Sequence, residues 1–224
     1  RRVRGAHEVA PRHVDMLVDA AQSEDRGALA VVSAQMIGAG IRAEDIADHY
    51  IPEAARKLGA KWCDDTMSFV AVTVGSARLM SLLRELGPEW RADRSAAAAG
   101  HAVLVVVAAG ISHTLGATVL TGQLRRRGIS VRLLVGARPE DLGPLLRQMQ
   151  FDAVMLSASL GESLGTLRRL VDAMRMAMAA PPPIVLGGTI TTTEGLSPRS
   201  IRDQTGVDLV TNDPGEALAR CGLT

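Results

Sequence analysis

The sequence predicts an α/β protein, a doubly wound parallel five-stranded sheet preceded by a four-helix bundle cap. Three observations carry this. Before residue 87 the apolar residues recur with helical period. After residue 100 the rhythm changes to short apolar runs that alternate with amphipathic segments, the pattern of βαβ units in a parallel sheet. The composition supplies an aliphatic core for both parts: 47% of the 224 residues are hydrophobic, yet only 2% are aromatic.

The expected organisation is a bundle over residues 10–87, a linker over 88–100 and a sheet domain over 101–224. In the bundle, Val14, Leu17 and Val18 begin one helix, and Ala28, Leu29, Val32, Met36 and Ile37 mark a second. Ile46, Tyr50, Ala54 and Leu58 stand four apart on a third, which must accommodate Pro52 near its middle. Phe69, Val72, Ser76, Leu79 and Leu83 mark a fourth. Gly87-Pro88 stops that helix, and the Ala-rich stretch 95–100 has the featureless composition of a linker.

In the sheet domain the apolar run His101 to Ala108 suits a strand buried on both faces. A helix is expected from Thr114 to Arg127, stopped by Gly128, then a strand from Ile129 to Val135 and a helix from Pro139 to Met149. Ala153 to Leu156 forms the third strand, followed by a helix reaching Ala180 and the prolines 181–183. Ile184 to Leu186 and Val207 to Val210 complete the five.

Basic and acidic residues nearly cancel, leaving a formal charge of +1. That balance argues against direct nucleic-acid contact, which needs a strongly basic face. The runs Arg125-Arg126-Arg127 and Arg168-Arg169 read as solvated helix faces. Cys63 and Cys221 fit no ligand spacing and suit a reducing cytoplasm. No apolar run is long enough to span a membrane. The chain opens on Arg1 rather than Met and reads as a fragment. A homo-oligomer is compatible with all of this.

The chemistry gathers at strand ends, where ligands bind in open α/β sheets. Ser112-His113-Thr114, with Gly116, follows the first strand, Ser157-Ala158-Ser159 the third, and Gly187-Gly188-Thr189 the fourth. All three segments would open on one edge. A neutral imidazole aimed outward from a short loop is a good axial donor to the metal of a planar macrocycle. Paired glycines permit close backbone approach to an appended tail, and small hydroxyls can hydrogen-bond it. Each feature alone reads as a cap or a turn; together they define a pocket. Glu162 and Glu194 lie near its edge and read as helix-start carboxylates. The methionines read as core filler. His7, His13 and His49 fall on polar helix faces, and His101 starts a strand.

These residues resemble the cobalamin-binding domain family, whose signature is Asp-x-His-x-x-Gly, then Ser-x-Leu, then Gly-Gly. His113 and Gly116 match the first element, Ser157 the second and Gly187-Gly188 the third, at separations of 44 and 30 residues. The resemblance extends to the bundle, whose family tryptophan, here Trp62, packs near the cofactor's upper face. The run Leu58 to Asp65, continued by Ser68-Phe69 and Val72 to Gly75, is similar to the cap of AerR/PpaA antirepressors of phototrophic bacteria and of haem-sensing SCHIC domains. Two departures stand out. Ile111 replaces the aspartate that would hydrogen-bond the ligand histidine, and Ser159 replaces the leucine. Val72 and Thr73 occupy the positions where CarH-type cobalamin photoreceptors carry Glu-His, the upper ligand.

The resemblance implies a cobalamin-binding sensor, with His113 on the metal, that responds to light or redox state and acts on a transcriptional repressor of photosynthesis genes. It implies no enzymatic activity. Haem is the alternative cofactor, and a corrinoid subunit for methyl transfer is the alternative function. The missing aspartate argues against the latter, because methyl transfer needs a histidine ligand tuned to come on and off the metal.

Overall fold

The computed structural model describes residues 9–86, 100–111 and 113–223, which form two compact units divided between Ala92 and Asp93. The Ala-rich linker, Trp90, His7 and Ser112 lie outside the described residues.

The first unit is helical. Helix α1 (Pro11–Gln22) starts at a proline, whose missing N–H is no loss in a first turn, and buries Val14, Leu17, Val18, Ala20 and Ala21. Helix α2 (Ala28–Gly38) buries Leu29 and Met36. The third helical stretch is composite: a single turn α3 (Ala43–Asp45), a π turn (Ile46–Tyr50) and α4 (Ile51–Cys63). The π turn is how the chain accommodates Pro52, which would meet the carbonyl four residues back in an unbroken α-helix. Helix α5 (Phe69–Glu85) is capped by Ser68, whose hydroxyl accepts from the Ala71 amide at 3.2 Å. Gly75 on α5 lets it close on its neighbours, because a Cβ there would stand 3.0 Å from Leu58 Cδ1. Asp15 on α1 pairs with Lys57 on α4. His13 does not sit on a polar face: it is half-buried, with its ring edge-on to Tyr50 at 6.0 Å.

The second unit alternates strand and helix: β1 (Ala102–Ala108), α6 (Leu115–Arg126), β2 (Ser130–Ala137), α7 (Pro139–Gln148), β3 (Ala153–Ser157), α8 (Leu164–Ala177) and β4 (Ile184–Gly187). A 3-10 turn (Thr189–Thr192), α9 (Pro198–Thr205), β5 (Leu209–Val210) and α10 (Pro214–Arg220) follow. The strands form one fully parallel sheet in the order β2-β1-β3-β4-β5. Period-two alternation divides each inner strand between two cores. Leu104, Val106, Val154, Leu156, Ile184 and Leu186 meet α7, α8 and α9 on one face. Val103, Val105, Met155 and Val185 meet α6 and α10 on the other. The fold class is therefore a doubly wound α/β sheet with a helical N-terminal unit.

Several boundaries differ from the expectation. β2 runs on to Ala137 because Gly136, at φ 76°, forms a bulge opposite Val107 and Ala108 and lets pairing continue. Helix α8 ends at Ala177, short of Ala180. Helices α9 and α10 had no counterpart in the reading of hydrophobic period. Their signal is local: Ser197-Pro198 and Asp213-Pro214 each place a capping side chain before a proline at the first helical position.

Candidate functional site at the carboxyl edge of the sheet

The strand order reverses between β1 and β3, so the connections leaving them run to opposite faces of the sheet, which makes this edge the switch point at which open α/β sheets bind ligands. The β1–α6 loop is turned by Gly110, at φ 83°, and held by the Ala109 amide, which donates to the Ala137 carbonyl at 2.9 Å. Ile111 packs against the cores on both faces of the sheet. That double anchorage explains an apolar residue in the place where the resemblance calls for an aspartate. The loop is held by burial instead of by a carboxylate. His113 follows it with an exposed imidazole that has no hydrogen-bond partner among the described residues. Thr114, half-buried, precedes α6, and its carbonyl accepts from the Thr118 amide and hydroxyl at 3.0 and 2.9 Å.

On β3, Ser157 is half-buried beside the start of α6: a Cβ built on Gly116 would stand 3.9 Å from Ser157 Oγ. Gly116 and Ser157 thus face one another across the switch point. The Ser159 amide donates to Glu162 Oε2 at 3.0 Å, and the Leu160 amide to Thr189 Oγ1 at 2.9 Å, which ties the β3–α8 loop to the turn after β4. Burial raises the Glu162 carboxyl above its ordinary range, only partly offset by the Ser159 amide.

The glycine pair does something other than clear a slot for a ligand. A Cβ on Gly188, whose φ is 106°, would lie 2.2 Å from the Ala158 carbonyl oxygen, and one on Gly187 would lie 2.6 Å from that of Thr211. Protein backbone takes up the space, joining the ends of β3, β4 and β5. Sequence reasoning missed Asn212, which completes this join. Its Oδ1 accepts from the Gly188 amide at 2.6 Å and its Nδ2 donates to Thr191 Oγ1 at 2.6 Å. The polar run Thr211-Asn212-Asp213 directly after β5 was the available signal.

The structure thus brings His113, Thr114, Gly116, Ser157, Ser159, Gly187, Gly188 and Thr189 to the strand ends, loops and helix starts of one edge of the second unit. Trp62 lies on the first unit at the end of α4, 48% exposed, with Phe69 beside it at 6.0 Å. Val70 and Val74 on α5 are exposed as well. Two of the chain's five aromatic side chains therefore lie in solvent together, an unusual use of scarce apolar area. Among the described residues no cluster of three or more His, Cys, Asp or Glu side chains could hold a metal ion, and no helix is long and apolar enough to cross a membrane.

The switch point thus carries an exposed imidazole and several hydroxyl side chains on one edge of the sheet. The chain belongs to the B12-binding domain family, whose model matches residues 101–220. Cobalamin is accordingly its cofactor. Over 187 residues the chain is 37% identical to the "Uncharacterized 20.5 kDa protein in bchF-crtJ intergenic region" of Rhodobacter capsulatus, covering 83% of this chain and 94% of that protein. Its structure is similar to that of the Methanosarcina barkeri monomethylamine corrinoid protein, with a TM-score of 0.74 and 20% identity over 96% of this chain and 99% of that one. The residues present fit cobalamin: His113 offers an exposed imidazole with no hydrogen-bond partner among the described residues, and Thr114 and Ser157 bring hydroxyls to the same edge of the sheet.

Proposed function

We propose that the chain is a cobalamin-dependent regulator, not an enzyme subunit, that modulates a transcriptional repressor of photosynthesis genes. The observation that carries this reading is Ile111, packed against both cores two residues before a histidine that has no hydrogen-bond partner among the described residues. An imidazole that must cycle on and off a metal is ordinarily tuned by a hydrogen-bonded carboxylate. Here that position holds Ile111, anchored by burial and offering no carboxylate to tune the histidine. When bound, cobalamin would supply a cobalt centre able to take a protein donor, and a visible chromophore. His113 would hold its metal, with Thr114, Ser157 and Ser159 orienting the ligand's polar periphery. The related R. capsulatus protein supports the regulatory setting, since its name places it between bchF and crtJ, in a photosynthesis gene cluster.

The test uses the purified chain, hydroxocobalamin and haem in separate reconstitutions, in darkness and in light. Cobalamin should bind with an imidazole-ligated spectrum that His113→Ala abolishes. The loaded protein should change a photosynthesis-gene repressor's hold on its promoter DNA, and the His113→Ala protein should not. Binding and spectrum unchanged in His113→Ala would sink the site assignment.

A second reading, a corrinoid subunit for methyl transfer, is favoured by the similarity of fold to the M. barkeri protein. Methyl transfer to or from the cobalt(I) form of the reconstituted protein would establish it in place of the first.

A further inference from the structure

We infer that Glu162 is a further cofactor-binding residue, its Oε1 accepting a hydrogen bond from a donor on the bound cobalamin, either a primary amide of the corrin ring or a hydroxyl of the nucleotide tail. The inference rests on cobalamin occupying the carboxyl edge of the sheet. Glu162 divides its two oxygens. Oε2 holds the Ser159 amide at 3.0 Å and so shapes the segment that leaves β3. Oε1 is shut off from solvent and has no partner among the described residues. Leaving a buried acceptor unmet costs on the order of 1–3 kcal/mol, and native proteins seldom tolerate it without a use.

A second unmet oxygen lies on the adjoining segment. Thr193 Oγ1, just past the 3-10 turn, is likewise shut off from solvent without a partner among the described residues. The two segments are joined by the Leu160 amide on Thr189 Oγ1 at 2.9 Å and by the Ile190 amide on the Ala158 carbonyl at 3.3 Å. Two stranded acceptors thus share the edge to which His113 belongs. The segment also has room to reshape around a ligand. Gly161 has φ 80° and nothing within 4 Å of an added Cβ, and Leu160 beside it is 58% exposed. An ionised carboxylate is an acceptor only, so it selects a ligand that brings N–H or O–H groups. The periphery of cobalamin is rich in both.

The experiment measures dissociation constants by equilibrium dialysis, with visible spectra, for the full chain and its Glu162→Gln, Glu162→Ala and His113→Ala variants. The ligands are hydroxocobalamin and cobinamide, which lacks the nucleotide tail. Glutamine keeps a carbonyl for the Ser159 amide, so the ligand-free Glu162→Gln protein should fold and melt no lower than wild type at neutral pH even if Glu162→Ala does not fold. Glu162→Gln should bind hydroxocobalamin about 10- to 100-fold more weakly, the effect of losing a hydrogen bond to a charged group. Its bound spectrum should stay that of wild type, because His113 is untouched. An equal loss for cobinamide assigns the donor to a corrin amide; a loss confined to hydroxocobalamin assigns it to the tail. Binding of both ligands within twofold of wild type would overturn the inference while a changed His113→Ala spectrum kept the site. If His113→Ala were also unchanged, the placing of cobalamin on this edge would fall with it.

Discussion

Gly188 and Glu162 show what individual residues contribute at the sheet edge. Gly188 combines a left-handed φ with a backbone carbonyl 2.2 Å from where a Cβ would go, so both conformation and space demand glycine. Gly188→Ala should destabilise the chain by about 3 kcal/mol or more, read by urea denaturation, since strain and overpacking add. A loss below about 1 kcal/mol would mean that the join between β3 and β4 is loose. Glu162 predicts a pH dependence. Desolvation raises its folded pKa above the unfolded value, so the folded protein binds that proton more tightly. Its favourable contribution is full below the ordinary carboxylate range and is lost as pH rises from there through the raised value. Glu162→Gln removes the titration, so as pH rises from the ordinary carboxylate range its stability should improve relative to wild type. A difference that does not vary with pH would contradict this. Cys221 is half-buried and its thiol is raised by burial and by Asp208, whereas Cys63 is exposed. A maleimide reagent at neutral pH should therefore label Cys63 first, since the thiolate is the reactive form.

At the scale of elements, period and punctuation made most of the chain legible. The apolar positions of α1, α2 and α5 recur at helical spacing, and β1 is a continuous valine-rich run, so local pattern alone locates them. What failed has a common cause. The π turn ahead of Pro52 and the bulge at Gly136 are adjustments of hydrogen-bond register, which hydrophobic period does not record. Helices α9 and α10 are short, and only their caps announce them. Caps matter energetically as well. Ser68→Ala removes the acceptor for the Ala71 amide at the start of α5 and should cost about 1 kcal/mol of stability by thermal or urea melting. No measurable loss would show that packing alone sets that helix start.

At the scale of the molecule, a ligand that binds the folded chain and not the unfolded one must stabilise it. Hydroxocobalamin at a hundred times its dissociation constant should add about 2.7 kcal/mol, seen as a rise in melting temperature that grows with cofactor concentration. His113→Ala should reduce the rise, and an unchanged rise in that variant would place the cofactor elsewhere.

The sequence by itself determined the fold class, the strands of the sheet and the loops that carry His113, Ser157 and the glycine pair, because these depend on local pattern and on spacing along the chain. Tertiary structure alone decided what those residues do to one another. It placed Ile111 in two cores, filled the space beside Gly187 and Gly188 with backbone, recruited Asn212 to hold it, and left Glu162 Oε1 without a partner. The physical reason is range. Period and caps act over a few residues, whereas burial and the pairing of hydrogen bonds are settled between segments more than 20 residues apart, such as Gly188 and Asn212.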